Sequence, residues 1–413
     1  MSSPWNLQEL LYSAEVSFCV NAEAASSNTW SDKLPVKSMT VELSGERIAD
    51  TSLRSRSDEE NLGHVGTREW SADFTFYWPG HLAATTGALT ETWLQDMISD
   101  GLGGGNTTQG GTTANAGTHT TTSVGLTGGT ATVGCLMRFG AKGDARGDGQ
   151  ASVISAYSGG TATLLCALPA APTSTDVIYA TMAAYHDEST LTTLGTKRFC
   201  VAHVVTGAQY HLMGGQLAGV SISMPIAQNG LPEITLRYRG AYWQRQATTT
   251  PNSATLRANY CAPIAGGSVF VNDVGTSTRA VLTPSSMDLA IDLGLEPIPG
   301  PGGNGSLQYI TGWVRTIVRP KLRMTIPWVT DYETWWDTSN ASIAYKHILA
   351  TLNVDNGVRS VAFYMPRCFP SGKRPSQPVE SNRQVYVPVE FTGVRGATTT
   401  NALTESSIRF CAG

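Results

Sequence analysis

The sequence predicts a mainly β protein: two tandem β-sandwich or barrel units, each with one flanking helix, and a β-rich insertion in the first unit. Three observations carry this. Apolar and polar residues alternate with a period of two over many short runs. Forty-three glycines and twenty prolines supply turns between the runs. One order of elements occurs twice at a nearly constant separation.

The alternation runs along the chain. Met39, Val41 and Leu43 alternate with Thr40 and Glu42. In 70–78, Trp70, Ala72, Phe74, Phe76 and Trp78 alternate with Ser71, Asp73, Thr75 and Tyr77. Val220, Ile222 and Met224 alternate with serines, and Ile234, Leu236 and Tyr238 with Thr235, Arg237 and Arg239. Met287, Leu289, Ile291 and Leu293 follow the same rule, as do Leu322, Met324, Ile326 and Trp328, and Val385, Val387, Val389 and Phe391. Each run is a strand with one buried and one polar face, as in antiparallel sheets. Two stretches fit a helix instead. Over 90–100, Thr90 is a possible N-cap, Trp93, Leu94, Met97 and Ile98 share a stripe, and Gly101 can end it. Over 339–352, Ala341, Ala344, Tyr345, Ile348, Leu349 and Leu352 recur at helical spacing.

The repeat rests on element order. Ser38–Leu43 resembles Ser286–Ile291 at an offset of 248. Each is followed by a long polar loop, 44–66 and 294–312, then by a strand ending in Trp78 or Trp328, then by a helical pattern. The expected domains are a first unit at 1–250 with an insertion at about 101–196, a linker at 251–267, and a second unit at 268–413. The insertion opens with a Gly/Thr tract from Gly103 to Gly134, whose composition is that of a flexible linker.

Composition excludes several classes. The net charge is −4, so the chain is not a basic binder of nucleic acid phosphates. Charged residues are only 15% of the chain, low for a free monomer and suited to a surface buried against copies of itself. No apolar run reaches the ~18 residues that span a bilayer. The first residues, Met1 to Asn6, carry no basic or apolar leader, which argues against secretion by the usual route. Seven widely spaced cysteines without a C-x-x-C pair fit buried, reduced thiols.

No motif points to catalysis, a cofactor or a metal. The seven histidines fall in no metal-ligand spacing. Asp187 and Glu188 are adjacent carboxylates at an expected hairpin tip, where neighbours point apart. Gly219–Ser223 lacks the last glycine of a nucleophile elbow. One feature stands out. Residues 45–68 concentrate charge of both signs, with Glu46, Arg47, Arg54, Arg56, Asp58, Glu59 and Glu60, in a chain otherwise poor in it. Such interspersed charge fits a contact loop that sets register with a neighbouring subunit.

The chain resembles the bacteriophage tail tube proteins, the major tail proteins of long-tailed phages. The likeness is carried by Val36–Leu43, the charged loop, Arg68–Phe74 and the helix after it. It continues in Leu165–Pro172 with Asp176–Tyr179 and the hairpin around Tyr185 and His186. It ends in Gly207–His211 through Gly230–Pro232 into Ile234–Tyr238. The resemblance implies a structural, non-enzymatic virion protein without cofactor, made in the bacterial host cytoplasm and located in the phage tail. It implies stacked rings forming a hollow tube for DNA, in contact with tape-measure, tail-terminator and baseplate proteins, with no membrane binding. The repeat implies three chains per pseudo-hexameric ring. The charged loop would reach the adjacent ring. A lumen along which DNA slides should be neutral or acidic, so Glu42, Glu69, Asp73, Asp288 and Asp292 are candidates for its lining. Arg237, Arg239 and Arg323 lie on similar polar faces and can pair with those acids. The alternatives are another phage β-protein (capsid decoration, baseplate or receptor-binding) and a carbohydrate-active β-sandwich enzyme.

Overall fold

A computed structural model describes residues 8–15, 18–19, 30–45, 47–50, 61–65, 68–78, 93–104, 107–108, 112–114, 119–127, 131–140, 151–174, 176–179, 181–187, 195–203, 209–226, 230–246, 255–257, 264–277, 281–300, 310–327, 335, 345–354, 359–371, 379–381, 384–395 and 406–412. Strands in antiparallel sheets dominate, as the alternation requires, with one helix among the described residues.

The first half contains β1 (Gln8–Ala14), β2 (Asp32–Leu34), β3 (Ser38–Leu43), β4 (Arg47–Asp50), β5 (Asn61–Val65), β6 (Trp70–Tyr77) and helix α1 (Trp93–Leu102). Then come β7 (Thr107–Thr108), β8 (Thr112–Ala114), β9 (Ser123–Thr127), β10 (Leu136–Gly140), β11 (Ala151–Ser158), β12 (Thr161–Leu164), β13 (Val177–Tyr179) and β14 (Met182–Tyr185). It ends with β15 (Lys197–His203), β16 (Gln209–Met224), β17 (Glu233–Gly240) and β18 (Tyr242–Gln246). Two layers form. One runs β2–β1–β15–β16–β18 and the other β3–β6–β17–β16. The sixteen-residue β16 belongs to both. It changes layer at Gly214, whose φ of 63° suits glycine, and at a bulge between Leu217 and Gly219.

The buried face of each alternating strand meets between the layers. Phe74 packs tilted and Tyr238 edge-on against Phe199, with ring centroids 4.9 Å away in each case. Helix α1 buries Trp93, Leu94, Met97, Ile98 and Leu102 along one stripe. It ends at Gly103, whose φ of 83° and N–H to the Ser99 carbonyl (2.8 Å) close the last turn.

The second half contains β19 (Thr255–Leu256), β20 (Ile264–Asp273), β21 (Val281–Leu282), β22 (Ser286–Asp292), β23 (Leu295–Pro299), β24 (Ile310–Arg315), β25 (Arg319–Pro327), β26 (Lys346–Val354), β27 (Arg359–Ser371), β28 (Val379–Ser381), β29 (Gln384–Gly393) and β30 (Arg409–Ala412). Its ladders run β21–β20–β26–β27–β30 and β22–β25–β29–β27. That is the pairing pattern of the first half, and the registers correspond. Ser38 faces Thr75 as Ser286 faces Thr325. Leu10 faces Leu34 as Val269 faces Leu282. A bulge follows Lys197 in the β15–β16 ladder, and another follows Lys346 in the β26–β27 ladder.

Within 101–196, β8, β9, β12, β11, β10 and β13 close a six-stranded barrel, which leaves no free edge among those strands. Its core of Val124, Leu136, Phe139, Val153, Ile154 and Ile178 continues into Phe270, Leu349, Ala362 and Tyr364 of the second half. β14 pairs with β30, and so joins the second half as well.

Two expectations are corrected. Residues 346–352, expected as helix, are strand β26. Ile348, Ala350 and Leu352 face the main core and Leu349 faces the core of the barrel, so both faces are buried and no alternation reveals the strand. Residues 339–344 lie outside the described residues, as do Thr90 and Trp328. Much of the Gly/Thr tract is not a linker: it supplies β7, β8 and β9, with Val124 fully buried. Residues 251–267 hold β19 and the start of β20.

Six of the seven cysteines are described, and all six are buried. Burial pushes the thiols of Cys19, Cys135, Cys200, Cys368 and Cys411 up, to about 12 at Cys200 and Cys411.

Candidate assembly interface

Residues directly opposite in a ladder share a face. Following the register from β3 through β6, β17, β16, β22 and β25 to β29 therefore collects one continuous polar face. Thr40 faces Asp73, which faces Arg237, then Gly219, Asp292 and Arg319. In another row Glu233 faces Ser223, then Asp288, Arg323 and Glu390.

Four of the five candidate lining acids, Glu42, Asp73, Asp288 and Asp292, come together on this face. Glu69 lies just before β6, and its carbonyl accepts the Ser44 N–H at 2.9 Å. The acids are compensated. Arg237 Nε lies 3.4 Å from Asp73, and Ser223 Oγ donates to Asp288 at 2.8 Å. Ser71 Oγ donates to Glu42 at 3.3 Å, and the Gly294 N–H to Asp292 at 3.0 Å. Arg323 donates to Glu390 at 2.8 Å, and this bond holds the Glu390 carboxyl below its ordinary value. Arg239 turns aside to the Leu295 carbonyl and the Trp313 ring. The face thus interleaves Glu42, Asp73, Glu233, Asp288, Asp292 and Glu390 with Arg237, Arg319, Lys321 and Arg323, so both signs alternate with a small excess of acids. These exposed pairs fix order more than they add stability.

The two halves join on the same sheet. Gly219–Met224 of β16 pairs antiparallel with Met287–Asp292 of β22, and the Leu293 N–H reaches the Ala218 carbonyl at 3.1 Å. β22 is therefore an interior strand, with Met287, Leu289 and Ile291 at most 4% exposed. β3, in the corresponding place, pairs with β6 alone among the described residues. No residue of β3 is fully buried, and Leu43 is 36% exposed.

The long loops also correspond. Each forms a two-stranded hairpin: β4–β5 starts with Arg47 opposite Val65, and β23–β24 with Leu295 opposite Arg315. The second hairpin docks on the first half. Trp313 Nε1 donates to the Gly214 carbonyl at 2.8 Å, and Leu295, Ile310 and Trp313 pack with Cys19, Met213 and Ala241. The buried Arg315 donates to the carbonyls of Gly101 and Asp187 at 2.9 and 3.0 Å, which places a cation at the C-terminal end of α1. Burial, with the Arg315 charge beside it, lowers His186 to about 4. Of the predicted loop contacts, Arg47 begins β4, while Glu46, Arg54, Arg56, Asp58, Glu59 and Glu60 lie outside the described residues.

Sequence reasoning missed Trp313 and Arg315. Their alternation around Val314 marks a strand, but nothing in it separates a docked arginine from a solvated one. Among the described residues no group of three or more His, Cys, Asp or Glu could hold a metal ion. In comparison with known proteins, no family model matches the chain and no curated protein matches it.

Proposed function

We propose that this chain is a structural, non-enzymatic protein that polymerises with copies of itself into stacked, pseudo-hexameric rings, forming the tail tube of a bacteriophage. In this reading the chain is two tandem tube units with an inserted barrel, and three chains make one ring.

One observation carries the reading. Two halves with the same pairing pattern are joined by unlike edges, β16 of one to β22 of the other. Such a contact is heterologous: among the described residues it leaves one edge of each kind without a partner strand, so it can repeat from chain to chain and close into a ring. The charge-compensated polar face supports a lumen role. Affinity for DNA grows with the number of phosphates neutralised, and cations already matched by neighbouring acids give a sliding duplex little to grip. The inserted barrel packs on the opposite, apolar side of the second half, where it would thicken the wall.

The test is electron microscopy of the purified protein across a concentration series. Hollow tubes, or rings of three chains with six lobes, are expected. Compact monomers at every concentration, unchanged by seeding with preformed tail tips, would overturn the reading.

A further inference from the structure

We propose that the β4–β5 hairpin of one copy docks on the second half of another copy, at the place where β23–β24 docks on the first half within one chain; this rests on the assembly reading above and specifies a lateral contact inside the ring.

The two acceptor surfaces correspond place by place. Lys197 faces Gly215 next to its bulge and Lys346 faces Cys368 next to its own, so Gly214 and Arg367 hold the same position. Arg239 faces Gln216, and Thr392 faces Phe369. Gly240 and Gly393 end the neighbouring strands, so Ala241 and Val394 follow at matching places. The Glu15 N–H reaches the Thr196 carbonyl as the Val274 N–H reaches the Tyr345 carbonyl.

Their exposure differs. In the first half Met213 and Ala241 pack with Leu295, Ile310 and Trp313 of the docked hairpin and are 2% and 3% exposed. In the second half Arg367, Phe369 and Val394 are only partly buried, and Val274 is 50% exposed. β4–β5, the hairpin that corresponds to β23–β24, pairs only with itself among the described residues.

Size is exchanged between the two sets of partners. Trp313 lies two residues before Arg315, which opens its ladder opposite Leu295, and Gly63 lies two residues before Val65, which opens its ladder opposite Arg47. Inside the chain the large Trp313 meets Gly214, donating to its carbonyl at 2.8 Å. In the other set the large residue is on the acceptor. Arg367 stands in place of Gly214, its guanidinium carbon 3.7 Å from the centre of the Tyr345 ring, and Gly63 stands in place of Trp313. Close packing is satisfied by one large residue in each pair. A hairpin with Gly63 therefore fits the surface with Arg367, whereas one with a tryptophan there would overpack it. In both contacts each half lays its hairpin on the half before it, so the arrangement repeats from chain to chain in one direction.

The test is an exchange of size. Gly63→Trp should leave a chain that is folded by circular dichroism, sediments as a monomer and forms no rings by electron microscopy. Adding Arg367→Gly to that chain recreates the pair of tryptophan and glycine found inside the chain, and should restore rings. Val394→Lys charges the acceptor surface without touching the hairpin, and should also leave a folded monomer without rings; it decides the matter if Gly63→Trp does not fold. Rings from Gly63→Trp, whether or not they stack, or from Val394→Lys overturn the proposal and leave the assembly reading standing. Failure of Arg367→Gly to restore rings to a folded Gly63→Trp chain overturns it too. If the wild-type chain forms no rings either, both fall.

Discussion

β3 and β22 start from similar letters, Ser38-Met39-Thr40-Val41-Glu42-Leu43 and Ser286-Met287-Asp288-Leu289-Ala290-Ile291, and pair in the same register with the strand that follows. Their surroundings differ. β22 is closed on its second edge by β16 and buries Met287, Leu289 and Ile291, whereas β3 leaves Leu43 36% exposed. Alternation therefore decides which face is apolar, but not whether an edge is occupied. Occupancy depends on what lies beside the strand in space, and a second copy can supply it.

Proline makes the sharpest break in this comparison. Leu289→Pro removes a donor from the β16 ladder and a fully buried side chain, so it should cost more than ~3 kcal/mol and leave little folded protein by circular dichroism. Val41→Pro, at the corresponding edge position, should leave a folded monomer that forms no rings by electron microscopy. Equal unfolding by both would show that β3 is no edge.

Glycines come next. A Cβ on Gly240 would lie 1.9 Å from the Trp70 ring, and one on Gly393 would lie 2.6 Å from Pro320, the position that corresponds to Trp70. Gly240→Ala and Gly393→Ala should each cost roughly 2 kcal/mol, measured by urea unfolding. A neutral result at one site alone would separate the halves. Arg315→Ala withdraws the donors that reach Gly101 and Asp187 across the two halves, and roughly 2 kcal/mol should be lost in the same assay.

Acid should act on both halves. Burial lowers His186 and His347 to about 4, so each is neutral in the folded protein while an unfolded imidazole titrates near 6.5. Their stabilisation is complete above pH 6.5 and is lost as the pH falls toward 4, because protons then favour the unfolded chain. Melting temperature should decline across that window. A flat profile from pH 7 to 4 would place both rings in contact with water. Glu390, depressed by Arg323, works in the same direction below the ordinary carboxylate range.

Much of the fold was legible. The buried stripes of β6, β17, β22, β25 and β29 are those that alternation marks, and α1 buries the stripe read from Trp93 to Ile98. What failed has a physical cause. β26 is apolar on both faces, so its run fits a period of 3.6 as well as 2. The Gly/Thr tract is poor in large apolar residues, yet Val124 and Leu126 suffice to seat β9 in a small barrel. Of the candidate site, the acids of the polar face were legible because they alternate with core residues. Their cationic neighbours were legible only as residue types, since cross-strand pairing joins positions as distant as Asp73 and Arg237.

The buried cysteines bear on how the protein ages. A thiol reacts with oxidants as its thiolate, and a value of about 12 leaves roughly one in 10⁵ ionised at neutral pH. Cys200 and Cys411, at 0% exposure, are also closed to contact with dissolved oxidants. Cys200 and Cys411 can therefore pass from a reducing to an oxidising medium unchanged while the fold is closed. Oxidation of these two thiols in air should follow the opening of the sheets that bury them.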